Sequence, residues 1–213
     1  MTGSTKQPEA DPRAPASRCT GEWTELPPPR DSGRLSLETV LRRRRSVREY
    51  APRPFSLDLL SQLFWAAQGV TSPSGLRTAP SAGALYPLEL YAATERGVLH
   101  YDPSSHCVRT VILRDVRPAL QRAALSQEAV GEAGAVFVVA AVYQRTAGKY
   151  GTRAERYVHI ETGHAAQNLL LQATALELGA VPIGAFDDDQ VAIVLGLPKA
   201  ERPVYLIAVG VPR

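Results

Sequence analysis

The apolar positions of this chain change period repeatedly between Leu35 and Val209, and each change marks an element. Leu37, Val40 and Leu41 follow the three-four spacing of a short helix, with Ser36 placed to cap it. A second helix begins after Ser56 and carries Leu59, Leu60, Leu63, Phe64 and Ala67, with Gly69 as its stop. Strand-length runs follow over residues 88–94 and 98–101, joined by a turn at Glu95-Arg96-Gly97, and a further strand over 107–113. Residues 116–125 have the pattern of a short helix. The run Ala135 to Val142 is apolar without a break and of strand length, the mark of a central strand. A long helix is expected from Tyr157 to Leu178, stopping at Gly179 and rich in small residues. Asp187 to Leu195 forms a short helix with an acidic start, and residues 204–209 form the last strand. Helices and strands mix without strict alternation, which predicts an α+β fold rather than a doubly wound sheet.

Before Leu35 the periodicity disappears. Residues 1–33 are rich in Pro, Ser, Thr and charge, and read as a flexible or extended arm whose large apolar anchors are Trp23 and Leu26. Residues 34–213 form the folded body, enough chain for one well-buried core. The loop over 71–87 is dense in Ser, Pro and Gly. No apolar run is long enough to span a bilayer, and the first residues lack the hydrophobic stretch of a secretory signal. The two cysteines, Cys19 and Cys107, lie far apart and form no CxxC, so free thiols and a cytoplasmic setting are expected.

Charge changes the picture at one place. Arg42, Arg43, Arg44, Arg45 and Arg48 lie within seven residues, and without these five the net charge of +3 becomes −2. On a helix such a run would fan around the axis. In an extended segment Arg44, Ser46 and Arg48 share one side, two guanidinium forks with a hydroxyl between them, a set suited to a phosphate. A solvated basic face or a nucleic-acid patch would use the same residues. Against nucleic acid, no aromatic residue is interleaved and no comparable second basic cluster is present.

Two small-residue runs could bring backbone close to a flat ligand: Pro80-Ser81-Ala82-Gly83-Ala84 and Val181-Pro182-Ile183-Gly184-Ala185-Phe186. Taken alone, the first reads more simply as a plain surface loop, and the second could be just the entry to a buried strand. No G-x-G-x-x-G follows a strand and no GxxxxGK[ST] occurs.

The order of these runs is informative. R-R-S-x-R near the start, P-S-x-G in the middle and V-P-I-G-A-F late, over residues 35–213, resemble the FMN-dependent nitroreductase superfamily. Within it, P-S-A-G-A-L-Y-P-L-E-L-Y, together with Gly148-Lys149-Tyr150-Gly151 and the later Gly163-His164-Ala165-Ala166-Gln167-Asn168, resembles the SagB-type branch of thiazole/oxazole dehydrogenases. The resemblance implies a mostly antiparallel central sheet flanked by helices, in an intertwined homodimer with FMN sites at the interface. It implies that Arg44, Arg45, Ser46 and Arg48 hold the phosphate and ribityl chain, joined by Arg213 if the C-terminal basic residue of the family is kept. Pro80, Ser81, Ala82 and Gly83 would meet the ring from the other subunit, and Pro182, Ile183, Gly184 and Ala185 would line it. Many nitroreductases have an acidic residue after Pro-Ile where this chain has Gly184, which leaves polarisation of the ring to backbone amides.

The resemblance also places Lys149 and Tyr150 as the pair that removes a carbon-bound proton when an azoline is oxidised to an azole; an exposed lysine is the plainer reading. The function implied is hydride transfer through flavin N5, with a peptide-derived or other small-molecule substrate. Reduction of nitro or quinone compounds with NAD(P)H as donor is the alternative within the family, and a basic anion- or nucleic-acid-binding module is the alternative outside it. No metal is expected. His159 and His164 are five apart rather than four, and Asp187-Asp188-Asp189 reads more simply as a helix start. Neither a membrane nor a nucleic acid is expected as a partner.

Overall fold

The computed structural model describes Cys19 and residues 22–213; the earlier part of the arm lies outside the described residues. Eight strands form one sheet in which every strand pairing is antiparallel, in the order β1 (Trp23–Glu25), β5 (Cys107–Ile112), β4 (Gly97–Asp102), β3 (Leu88–Thr94), β6 (Ala135–Ala141), β8 (Arg202–Pro212) and β2 (Tyr50–Ala51), with β7 (Gly179–Ile183) also paired to β8. The expected α+β fold with a central antiparallel sheet is the one observed.

The unbroken apolar run of β6 is explained by cover on both faces. Ala135, Phe137, Val139 and Ala141 enter one core with Leu60, Leu63 and Phe64 of α2 (Leu57–Gln68) and Val158, Leu169 and Ala173 of the long helix. Val136, Val138 and Ala140 enter a second core with Leu120 of α3 (Arg117–Ala123), Val130 of α4 (Glu128–Glu132) and Val191 of α7 (Asp188–Leu195). An antiparallel strand buried on both sides cannot alternate apolar with polar, so it reads like a strand of a parallel sheet.

Local signals place the helix starts. Ser36 accepts from the Thr39 amide at 3.3 Å to open α1 (Leu37–Arg43), Ser56 does the same for Leu59 at 3.3 Å, and Asp187 for Gln190 at 2.9 Å. The acidic run at 187–189 thus serves as a cap and a charged first turn. The long helix departs from expectation. A helix α5 (Tyr143–Tyr150) and a 3-10 turn over Gly151–Arg153 precede it, and the helix itself, α6, spans Ala154–Ala175. Its end is made by Glu177 in the left-handed region (φ 60°), not by Gly179. Gly179 instead opens β7, where a Cβ would stand 2.7 Å from the Val47 side chain.

The arm docks where its apolar residues allow. Trp23–Glu25 pairs with β5 and Leu26 is buried. The two cysteines are not free thiols: Cys19 is disulfide-bonded to Cys107, with Cα atoms 6.2 Å apart, inside the bridging range. The sequence gap of 88 residues hides this pairing, because only the return of the arm along β5 brings the two together. That pairing removes the thiol argument for a cytoplasmic setting. No helix among the described residues is long and apolar enough to cross a membrane.

Candidate functional site

The residues singled out from the sequence fall into two groups, held by different parts of the sheet. The first is built on the edge of β7. Helix α1 ends at Arg43, and the chain straightens at Arg44 (φ −54°, ψ 124°). Ser46 forms a parallel bridge with Ala180, and the Val47 amide donates to the Ala180 carbonyl at 3.0 Å. Val47 packs inward against the second core, so alternation directs Ser46 and Arg48 to the opposite side, where both are exposed. Below them the buried Tyr50 hydroxyl lies 2.6 Å from the Val47 carbonyl and 3.1 Å from that of Ala208, tying the segment to β8. The guanidinium of Arg45 turns back onto its own chain, donating to the carbonyls of Arg42 at 3.0 Å and Arg44 at 2.7 Å. Arg213 comes beside this segment: its amide donates to the Glu49 carbonyl at 3.4 Å, and its guanidinium is 3.4 Å from Glu132. The strand β7 carries Pro182 and the buried Ile183 onward to the exposed Gly184 and Ala185, where the Ala185 carbonyl accepts from Gln127 at 3.0 Å.

The second group lies three strands away across the sheet, at the start of β3, a separation of roughly 14 Å between strand axes. Residues Pro80 to Tyr86 form a compact turn. Gly83 sits at φ 65°, and two residues that are not glycine, Ala84 at 53° and Tyr86 at 46°, share the left-handed region. Such backbone is costly and has to be held from outside. The Ser81 hydroxyl accepts from the Tyr86 amide at 2.9 Å. The Tyr86 carbonyl takes a hydrogen bond from Arg145 at 3.0 Å, and the Arg77 guanidinium stands 4.2 Å over the Tyr86 ring. Arg145 also pairs with Glu89, whose other oxygen meets His100 at 2.8 Å. Burial pushes the Glu89 carboxyl up, and the bonds from His100 and Arg145 more than reverse this, holding it below its ordinary value.

Lys149 and Tyr150, at the end of α5, converge on this same turn. A Cβ placed on Gly83 would meet the Tyr150 hydroxyl at 2.9 Å and the Lys149 Nζ at 3.0 Å. Within one chain Lys149 is exposed and lies on a helix. Thus Lys149 and Tyr150 join Pro80 to Gly83, while Arg44, Ser46 and Arg48 join β7.

One residue at the second group escaped the sequence reading. Glu161 of α6 is 2% exposed, and its Oε1 is buried with no hydrogen-bond partner. Burial raises its pKa from the ordinary 4.5 to about 7, opposed by the Ser81 hydroxyl and the Arg77 guanidinium. The available signal was a carboxylate on the buried face of a helix, in line with Val158, Thr162 and Ala165. The folded chain therefore holds a proton here that the unfolded chain has lost. The resulting stabilisation is complete below pH 4.5 and is lost as pH rises through about 7. Glu161→Gln should match the parent in urea unfolding near pH 5 and exceed it by roughly 2–3 kcal/mol at pH 8. Equal stabilities at both pH values would refute the buried, proton-holding state.

With this geometry in view, comparison with known proteins gives one answer. The model of the Nitroreductase family matches residues 41–211. A Methanocaldococcus jannaschii protein whose name places it among the nitroreductases is 43% identical over 196 residues, covering 89% of this chain and 98% of its own. A Ralstonia eutropha structure, similarly named, superposes with a TM-score of 0.81 at 30% identity, covering 98% of this chain and 96% of that one. The Vibrio harveyi NADPH:FMN oxidoreductase, solved with NAD+, shares the fold at 23% identity with a TM-score of 0.62, covering 83% of this chain and 68% of that one.

Proposed function

The chain belongs to the nitroreductase family, and on that premise we propose that it is an FMN-dependent oxidoreductase acting as a homodimer, of the SagB-type branch that oxidises peptide-derived azolines to azoles. The observation that carries the reading is the division of the site residues into two groups set apart on one sheet. In this reading the second group comes from another copy of the chain, opposite Pro182 to Ala185.

The residues fit the cofactor. Arg44, Ser46 and Arg48 form an extended donor row fixed by the Val47–Ala180 bond, suited to the phosphate and ribityl chain, with Arg213 close to its end. Pro182 to Ala185 offer small side chains and backbone, with no acidic group at Gly184, for one side of the ring. Pro80 to Gly83 of the partner would close the other side. Bound FMN would accept and pass on hydride at N5; the protein's part is orientation and electrostatics. Lys149 and Tyr150, adjacent at Gly83, are assigned to removing the proton from the substrate carbon.

The names of the relatives favour a second reading within the family, reduction of nitro or quinone compounds by NAD(P)H. The test begins with the purified protein. It should be yellow, show flavin absorbance, release FMN on denaturation and sediment as a dimer. Anaerobic bleaching by an azoline-containing peptide supports the dehydrogenase, and bleaching by NAD(P)H alone supports the reductase. A colourless protein that takes up no added FMN refutes both.

A further inference from the structure

Tyr86 is held in the left-handed region at φ 46° and Ala84 at 53°, so the turn that leads into β3 needs a restraint from outside itself. Arg145 of α5 supplies one. Its Nη1 donates to the Tyr86 carbonyl at 3.0 Å and its Nη2 to the Glu89 carboxylate. One guanidinium fork thus spans the last residue of the turn and the second residue of β3. Glu89 is fixed in its turn: its other oxygen meets His100 Nε2 at 2.8 Å, and the His100 ring is stacked on Tyr91 with centroids 4.5 Å apart. The start of α5 is tied to the same place, since the Val142 amide donates to the Pro87 carbonyl at 2.8 Å. The end of α5 brings Lys149 and Tyr150 to Gly83. Arg145 and Lys149 are four residues apart and share a helix face, about 6 Å along the axis, so α5 meets the turn at both Gly83 and Tyr86.

Resting on the flavin reading above, we propose that Arg145 is a positioning residue: its fork, anchored by Glu89, locks the Pro80–Tyr86 turn to α5 and so sets the surface this turn presents to the isoalloxazine ring. It belongs neither to the phosphate grip nor to the pair assigned to proton removal. Its role differs from that of the neighbouring Arg77, which stands 4.2 Å over the Tyr86 ring and donates to Gln68 of α2 at 2.9 Å, and so orients a side chain. Arg145 holds the backbone carbonyl, and backbone is what approaches the ring at Pro80 to Gly83. The fork also accounts for the residue type. A lysine ammonium is a point charge, whereas a planar guanidinium fixes the carbonyl and the carboxylate at once. The Arg145 side chain is 42% exposed and that of Glu89 15%, so the clamp sits at the rim, where loss of the arginine frees the turn without emptying the core.

The experiment reads the turn first without flavin and then with it. In the apoprotein, amide hydrogen exchange over residues 81–86 should be at least roughly tenfold faster in Arg145→Gln than in the parent, because the strained backbone relaxes once the fork is gone, while exchange in β6 stays the same. Fluorescence titration of the same apoproteins should show FMN and riboflavin weakened alike, each by about fivefold, as expected when the turn that meets the ring becomes the minor form. Arg145→Lys keeps the charge and loses the fork, and it should behave like Arg145→Gln in both measurements. Unchanged exchange in Arg145→Gln, faster exchange with both flavin affinities unaltered, or full restoration by lysine overturns the role of Arg145 and leaves the flavin reading standing. So does faster exchange throughout the chain, β6 included, which is a general loss of stability, and so does weakening confined to FMN, which would put the guanidinium on the phosphate. A parent protein that takes up neither flavin overturns both.

Discussion

Arg44→Ala combined with Arg48→Ala is expected to abolish FMN retention at working concentrations. Each guanidinium bond to a phosphate is charge-assisted and contributes about 1.5–3 kcal/mol. Losing two amounts to roughly 3–6 kcal/mol, or about 10²- to 10⁴-fold in affinity. The segment keeps its place, since it is held by the Val47 amide on Ala180 and the Tyr50 hydroxyl on Val47, neither of which involves an arginine side chain. Riboflavin is the discriminating probe because it lacks the phosphate. Its affinity should change little in the double variant while that of FMN collapses. Arg45→Ala alone should cost much less, because that guanidinium already satisfies the carbonyls of Arg42 and Arg44. Unchanged FMN occupancy, or equal weakening of FMN and riboflavin, would remove the phosphate from this segment.

The contrast between Arg45 and its neighbours shows how far the sequence carries. Alternation separates Arg44, Ser46 and Arg48 from Val47 without coordinates, because a strand has a period of two and Val47 is the apolar member. What alternation cannot supply is the competing use of Arg45 at the end of α1, a contact between a side chain and carbonyls one and three residues back. The sheet is legible for a similar reason. Each strand run is set by its own burial, and the β6 run reports cover on both faces. Helix α5 is not legible because its residues Tyr143–Tyr150 bury only Thr146 and show no apolar stripe. Glu161 is missed because its charge breaks the apolar face of α6, and its burial appears only once α6 is packed in the folded chain. The Cys19–Cys107 bridge is missed because pairing depends on the path of the arm, which carries no periodic signal. Local periodicity therefore reveals elements and the shared side of Arg44, Ser46 and Arg48, while contacts between distant segments appear only in the folded chain.

Lys149→Ala should leave a yellow, FMN-loaded protein that has lost azoline oxidation. Lys149 and Tyr150 converge on Gly83, at the turn assigned to the ring, and neither belongs to the phosphate grip. Flavin occupancy should therefore hold within a few-fold. Oxidising an azoline to an azole removes a hydride and a proton from carbon, and a positioned base contributes typically 10²- to 10⁴-fold to such a step. The turnover number should fall by about that factor, with a smaller change in KM, because the group lost acts on the reacting atoms rather than on the body of the substrate. Reduction of the flavin by NAD(P)H and onward transfer to a quinone require no proton to be taken from carbon. In the same variant these steps should persist near the parent rate. The substitution thus separates the two activities, removing one and sparing the other. If Lys149→Ala oxidises azolines as fast as the parent, the base is elsewhere. If quinone reduction collapses with azoline oxidation while FMN stays bound, Lys149 serves the placement of the ring, and proton removal is not its role.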